Sequence, residues 1–169
     1  GNLNFSNHLP ELDDTFIGWK GKKAKQGRSG ELVIDVFKAH YKSVISGKND
    51  SVNLDVAYES SLYKKEMEMN ISSPLISRNG TPSIVKVPSI EDLLGDKLTA
   101  FAPNTTGIEY GSPLEIIKQL FDINSLFEKA RDFEVVASTF REIGRRQIGY
   151  YQSRAINSTD EILDDIYET

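Results

Sequence analysis

Hydrophobic positions alternate with polar ones in the first half of the chain and recur every three to four residues in the second. In residues 31–40, Leu32, Ile34 and Val36 share one side of an extended chain; in residues 52–58, Val52, Leu54, Val56 and Tyr58 do the same. A period of two marks half-buried strands, and the turn-rich residues 46–51 between them predict an antiparallel hairpin. A further short strand is predicted at residues 84–87, after the turn signals Asn79-Gly80 and Thr81-Pro82. The polar, basic and glycine-rich stretch 18–30 reads as a loop.

The period changes near Pro88. Ser89 is placed as an N-cap, with Asp92 at the third helical position, and predicts a helix reaching about Ala102 before Pro103. Ser112, Pro113 and Glu115 supply a cap, a first-turn proline and a capping-box glutamate for a second helix ending near Ala130. A third helix is predicted for residues 132–150 and a last one from Ser158 or Thr159. Strands first and helices after is the order of an α+β fold. The expected division is a sheet region in residues 1–88 and a helical region in residues 89–169, forming one compact unit. A sheet of so few strands leaves an edge through which copies could associate as a homo-oligomer.

Composition narrows the chemistry. The 169 residues are 38% hydrophobic and 27% charged, enough to bury a core. No apolar run approaches the roughly 18 residues that span a bilayer, so an integral membrane protein is not expected; the reading taken is a cytoplasmic protein with no membrane partner. The absence of cysteine excludes disulfides, thiolate zinc sites and cysteine nucleophiles. Two histidines, His8 and His40, stand too far apart in sequence to suggest a histidine metal site. Carboxylates remain as hard ligands, and they suit magnesium. A net charge of -5 argues against a general nucleic-acid coat but allows local basic sites. Two such segments occur, Lys20, Lys22, Lys23, Lys25 and Arg28, then Arg141, Arg145, Arg146 and Arg154. Each reads first as a solvated face.

Four residues stand out against this background. Asp55 lies mid-strand, where propensity disfavours it; it is either a solvent-facing residue on a one-sided sheet or a functional carboxylate, and Asp35 in the preceding strand is placed alike. Lys97 is the sharper signal. At about 100° per residue, Leu93, Lys97, Phe101, Leu94 and Leu98 fall at roughly 0, 40, 80, 100 and 140°, so the lysine sits inside an apolar stripe. A buried ammonium needs a partner or a route to water, which leaves a snorkelling or ion-paired lysine beside one held in a cleft to meet an anion. Asp122 lies on the helix side away from Ile116, Ile117, Leu120 and Ile123, and by position alone pairs with Lys118. Asn124 falls within the apolar arc and calls for a hydrogen-bond partner. No phosphate-cradling glycine loop and no Ser/His/Asp arrangement is present.

A resemblance takes these residues further. Residues 87–101, VPSIEDLLGDKLTAF, resemble the helix that carries the functional lysine in AbiEii-type nucleotidyltransferase toxins of type IV toxin–antitoxin (abortive infection) systems. Residues 118–123, KQLFDI, are similar to that family's later motif of a basic residue, a variable one, an aliphatic, an aromatic, Asp and an aliphatic. The strand NLDV at residues 53–56 resembles the one bearing a third carboxylate, and the 25-residue spacing from Lys97 to Asp122 is also similar. Two departures accompany the likeness. Gln119 stands where members often have an acidic residue. The upstream Gly-Gly-Ser or Thr turn and Asp-x-Asp strand find no match, since Asp13 and Asp14 are adjacent and would not share a strand face.

The resemblance implies a partial nucleotidyltransferase-like sheet, the hairpin plus the short strand, followed by the helical half, and it marks the chain as the C-terminal part of such a protein. It implies transfer of a nucleotidyl group from a nucleoside triphosphate (NTP) to an acceptor such as tRNA, with Mg2+ as cofactor and a separate antitoxin as partner. Asp55 would be the metal-side carboxylate that helps activate the acceptor, and Lys97 would face the triphosphate. Asp122 would orient Lys97 or contact the nucleotide. Without the Asp-x-Asp motif, the chain alone is expected to be inactive. The alternative is a non-catalytic remnant that binds a partner or a nucleotide.

Overall fold

The computed structural model describes residues 16–26, 33–72, 80–150 and 154–169. Two compact units make up the chain, Gly1–Ser60 and Ser61–Thr169. Mixed α+β architecture, with the helices in the C-terminal half, matches the expectation from the change of period.

The first unit holds a three-stranded antiparallel sheet, β1 (Phe16–Gln26), β2 (Val33–Lys42) and β3 (Asn49–Ala57), in that spatial order. The predicted β2–β3 hairpin is present, closed by a turn in which the Gly47 and Ser46 amides return to Ser43. Gly47 takes a φ of 66°, which glycine adopts without steric cost. β1 corrects the loop reading of residues 18–26; residues 27–30 of that stretch lie outside the described residues. Its glycines and lysines hide any alternation, yet β2 offers a free edge, and β1 pairs along it with two register irregularities. Lysines are well tolerated on an edge strand. The register adds how the two apolar rows are disposed. Phe37 lies opposite Leu54 and Val36 opposite Asp55, so the two apolar rows noted above occupy opposite faces of one sheet. The deepest burial falls on Phe37 and Ala39, while Val52 and Leu54 stay about half exposed.

In the second unit β4 (Glu66–Asn70) pairs antiparallel with β5 (Ile84–Pro88), the short strand anticipated at residues 84–87. Helices α1 (Ile90–Ala100), α2 (Pro113–Phe127), α3 (Phe133–Tyr150) and α4 (Thr159–Glu168) follow. One core cluster joins Leu94 of α1 to Ile123, Ala130 and Val136, with Ile90, Leu98, Phe101 and Leu126 around it. A second joins Ala102, Phe140, Ile156 and Ile162. Each large side chain buried this way contributes roughly 1.5–3 kcal/mol, an upper range for partly buried ones.

A cap forms as expected at Ser89, whose side chain accepts from the Asp92 amide, and Ser158 caps the last helix in the same way through the Glu161 amide. At α2 the expected capping box does not form. Ser112 makes no side-chain cap bond, and Glu115 turns instead toward Lys118 at 3.9 Å. α2 also buries a different face from the one its pattern suggests. Gln119 and Ile123 are buried, whereas Ile117, Leu120 and Phe121 are each more than half exposed.

Candidate nucleotide site around Lys97

The site is built on α1, and two buried carboxylates fix that helix. Asp92, fully buried, accepts from the Lys64 amide at 2.8 Å, the Lys65 amide at 2.9 Å, Ser89 Oγ at 2.7 Å and Thr139 Oγ1 at 2.6 Å. Burial alone would push its carboxyl up, but these hydrogen bonds outweigh the desolvation and hold it below its ordinary value. One side chain thereby ties the segment before β4, the start of α1 and the middle of α3 together. Beyond the end of α1, Asp165 of α4 accepts from the Asn104 amide and side chain and from the Thr105 amide and hydroxyl, at 2.7 to 2.9 Å. Between these anchors, Gly95 lets α1 cross α3 closely; a Cβ there would meet Val136 O at 2.7 Å and Phe140 N at 2.9 Å.

Lys97 projects from this braced helix toward α2. Its Nζ donates to Asp122 Oδ2 at 3.0 Å and to Gln119 Oε1 at 3.2 Å. Both charged side chains keep about a third of their surface, 33% each. The lysine is therefore half-buried and ion-paired, with part of its side chain still open to solvent. An ammonium carries three donors, and two of them are directed at protein oxygens. On the neighbouring position, Tyr63 donates its hydroxyl to Asp96 Oδ2 at 2.8 Å. Burial, then the Asp96 charge, pushes that phenol well above its ordinary value, so it stays a neutral donor.

Of the residues singled out by sequence, Lys97 and Asp122 meet. The i,i+4 partnership of Asp122 with Lys118 is replaced by the tertiary pair, because Lys118 turns to Glu115. Asn124 proves exposed, with Glu128 Oε1 at 3.5 Å from its amide, so no buried amide has to be satisfied there. Asp55 stands on β3 in the other unit, exposed and paired in register with Val36. Asp35, its counterpart on β2, accepts from the Tyr58 hydroxyl at 2.8 Å. In the C-terminal basic segment Arg141 and Arg145 are exposed, while Arg154 donates to Thr105 O and to Glu109. Gln119, noted in sequence as a departure, and Asp92 and Asp165, with no sequence signal beyond a capping position for Asp92, complete the arrangement.

A magnesium site was tested on the same geometry. Among the described residues no group of three or more His, Asp or Glu side chains could hold a metal ion. Asp122 is directed at an ammonium, and Asp55 offers a single carboxylate where the ion needs several oxygen ligands. Asp13 and Asp14 lie outside the described residues. The residues described do not by themselves fit the ion.

The structure thus sets a half-buried lysine, paired with Asp122, on a braced helix of an α+β chain. The comparison with known families is specific: the sequence model described as "Nucleotidyl transferase AbiEii toxin, Type IV TA system" matches residues 5–167. The chain belongs to the AbiEii family of nucleotidyltransferase toxins of type IV toxin–antitoxin systems. No curated protein and no solved structure matches it. Among the described residues, no helix is long and apolar enough to cross a membrane.

Proposed function

We propose that Lys97 and Asp122 form the triphosphate-facing part of a nucleotidyltransferase site. The observation that carries this reading is the Lys97 ammonium, held by Asp122 at 3.0 Å and Gln119 at 3.2 Å with one proton unassigned. Asp122 fixes where the ammonium points, and the free donor offers charge where it develops on the phosphates as the bond to the leaving group lengthens. In the transfer, an acceptor hydroxyl oxygen bonds to the α-phosphorus of a nucleoside triphosphate. The bond from that phosphorus to the bridging oxygen breaks, pyrophosphate leaves, and the hydroxyl proton passes to a carboxylate, the role proposed for Asp55. A tRNA end is the proposed acceptor, and a separate antitoxin the proposed partner.

This chain alone is expected to give no transfer, because productive magnesium binding needs several oxygen ligands and, among the described residues, no carboxylate cluster accompanies Asp55. Incubation with labelled nucleoside triphosphates and total tRNA tests this. Incorporation by this chain that is lost in Asp55→Asn would overturn the expected inactivity. Triphosphate binding without transfer, even after an Asp-x-Asp segment is supplied, would point instead to a binding module.

A further inference from the structure

The Gln119 side chain has an orientation that chemistry fixes. Lys97 can only donate, so the amide oxygen must face it, at 3.2 Å, and the amide NH2 must point the other way. That nitrogen has no hydrogen-bond partner among the described residues, although Gln119 is 92% buried. It is not sealed off either, since His40 Nε2 is the one enclosed side-chain polar atom left without a partner there. Two amide donors are therefore left in the same side-chain cluster as the Lys97 ammonium. A buried residue rarely leaves donors unmet unless water or a ligand takes them.

The charge balance of the cluster points the same way. Asp122 cancels Lys97, and the neutral amide adds no negative charge that an incoming anion would have to face. A carboxylate at this position would hold the ammonium as well but could neither donate a hydrogen bond nor leave the cluster neutral.

We infer that Gln119 is a second anion contact of the site: its carbonyl positions Lys97, and its NH2 donates to a phosphate oxygen of the bound triphosphate. The inference rests on the reading that Lys97 faces the triphosphate.

The test uses inorganic tripolyphosphate, so that no base contact contributes, with nitrogen-15-labelled protein followed by NMR. On titration, the Gln119 side-chain NH2 signals and the Lys97 ammonium signal should move together and give one Kd. Gln119→Met, neutral and similar in length, should weaken tripolyphosphate binding about tenfold while leaving the thermal midpoint within a few degrees. Lys97→Met should remove binding. If the Lys97 signal moves and the Gln119 NH2 signals do not, the inference about Gln119 is wrong and the lysine assignment stands. If tripolyphosphate binds equally well to Lys97→Met, or does not bind the wild type, the lysine assignment itself fails, and the inference with it.

Discussion

Replacing Asp92 by Ala removes the single acceptor that joins α1 to α3 and to the segment before β4. Four donors lose it: two backbone amides, of Lys64 and Lys65, and two hydroxyls, of Ser89 and Thr139. A hydrogen bond to a charged group is worth roughly 1.5–3 kcal/mol, and an unmet buried donor costs roughly 1–3 kcal/mol. The four share one site, and water can enter the space a carboxylate leaves, so the loss falls below their sum, at about 4 kcal/mol. Asp92→Asn keeps one carbonyl acceptor and should lose about half as much. Urea denaturation followed by circular dichroism reads both. The pH dependence adds a second readout. A folded-state value held below the ordinary one gives stability that is fully present above the unfolded value near ~3.9 and is lost as pH falls through the folded value. The gap between wild type and Asp92→Asn should therefore narrow below about pH 4. An Asp92→Ala protein within about 1 kcal/mol of wild type at pH 7 would refute the claim that this carboxylate braces the site helix.

Other outcomes follow from the same packing. Gly95→Ala should cost about 2–3 kcal/mol, because the new methyl would meet α3 backbone 2.7 and 2.9 Å away; unchanged denaturant midpoints would contradict the close crossing. Lys97→Met and Asp122→Leu should be non-additive by about 0.5–1.5 kcal/mol in a double-mutant cycle, a modest value because both side chains remain a third exposed. Simple additivity would mean the pair is not formed in solution. Ile123→Ala should cost about 2–4 kcal/mol, whereas Phe121→Ser, at a position 71% exposed, should change stability by only about 0.5 kcal/mol. Equal losses at the two positions would contradict the burial of Ile123 and the exposure of Phe121 on α2.

The helical half was legible because its signals are local. Ser89 and Ser158 cap by short-range geometry, and proline positions limit the helices, so their starts could be placed from sequence. Lys97 was legible too, as a charge inside an apolar stripe. The partner of Lys97 was not, since nothing in the period of α2 requires Asp122 to reach another helix; that link came from resemblance. β1 was hidden because its pairing depends on the free edge of β2 rather than on alternation of its own. How the apolar rows of β2 and β3 lie relative to one another was not legible, because register, which decides what lies opposite what, is a tertiary property. Asp92 and Asp165 were missed as braces for a related reason. A surface aspartate and a buried one that collects four donors look alike until distant segments, such as residues 104–105 for Asp165, are brought to them.

The central claim is that Lys97 meets the triphosphate, and protection of that lysine from chemical modification tests it most directly. Its side chain is a third exposed, which leaves it within reach of an amine-directed reagent. The protein is treated with the reagent with and without a nucleoside triphosphate, and each lysine is followed by peptide mass spectrometry. At ten times the Kd, bound nucleotide should slow modification of Lys97 by about tenfold, with exposed lysines such as Lys86 and Lys118 unaffected. An unchanged rate at Lys97, at a concentration that saturates binding measured independently, would contradict the account.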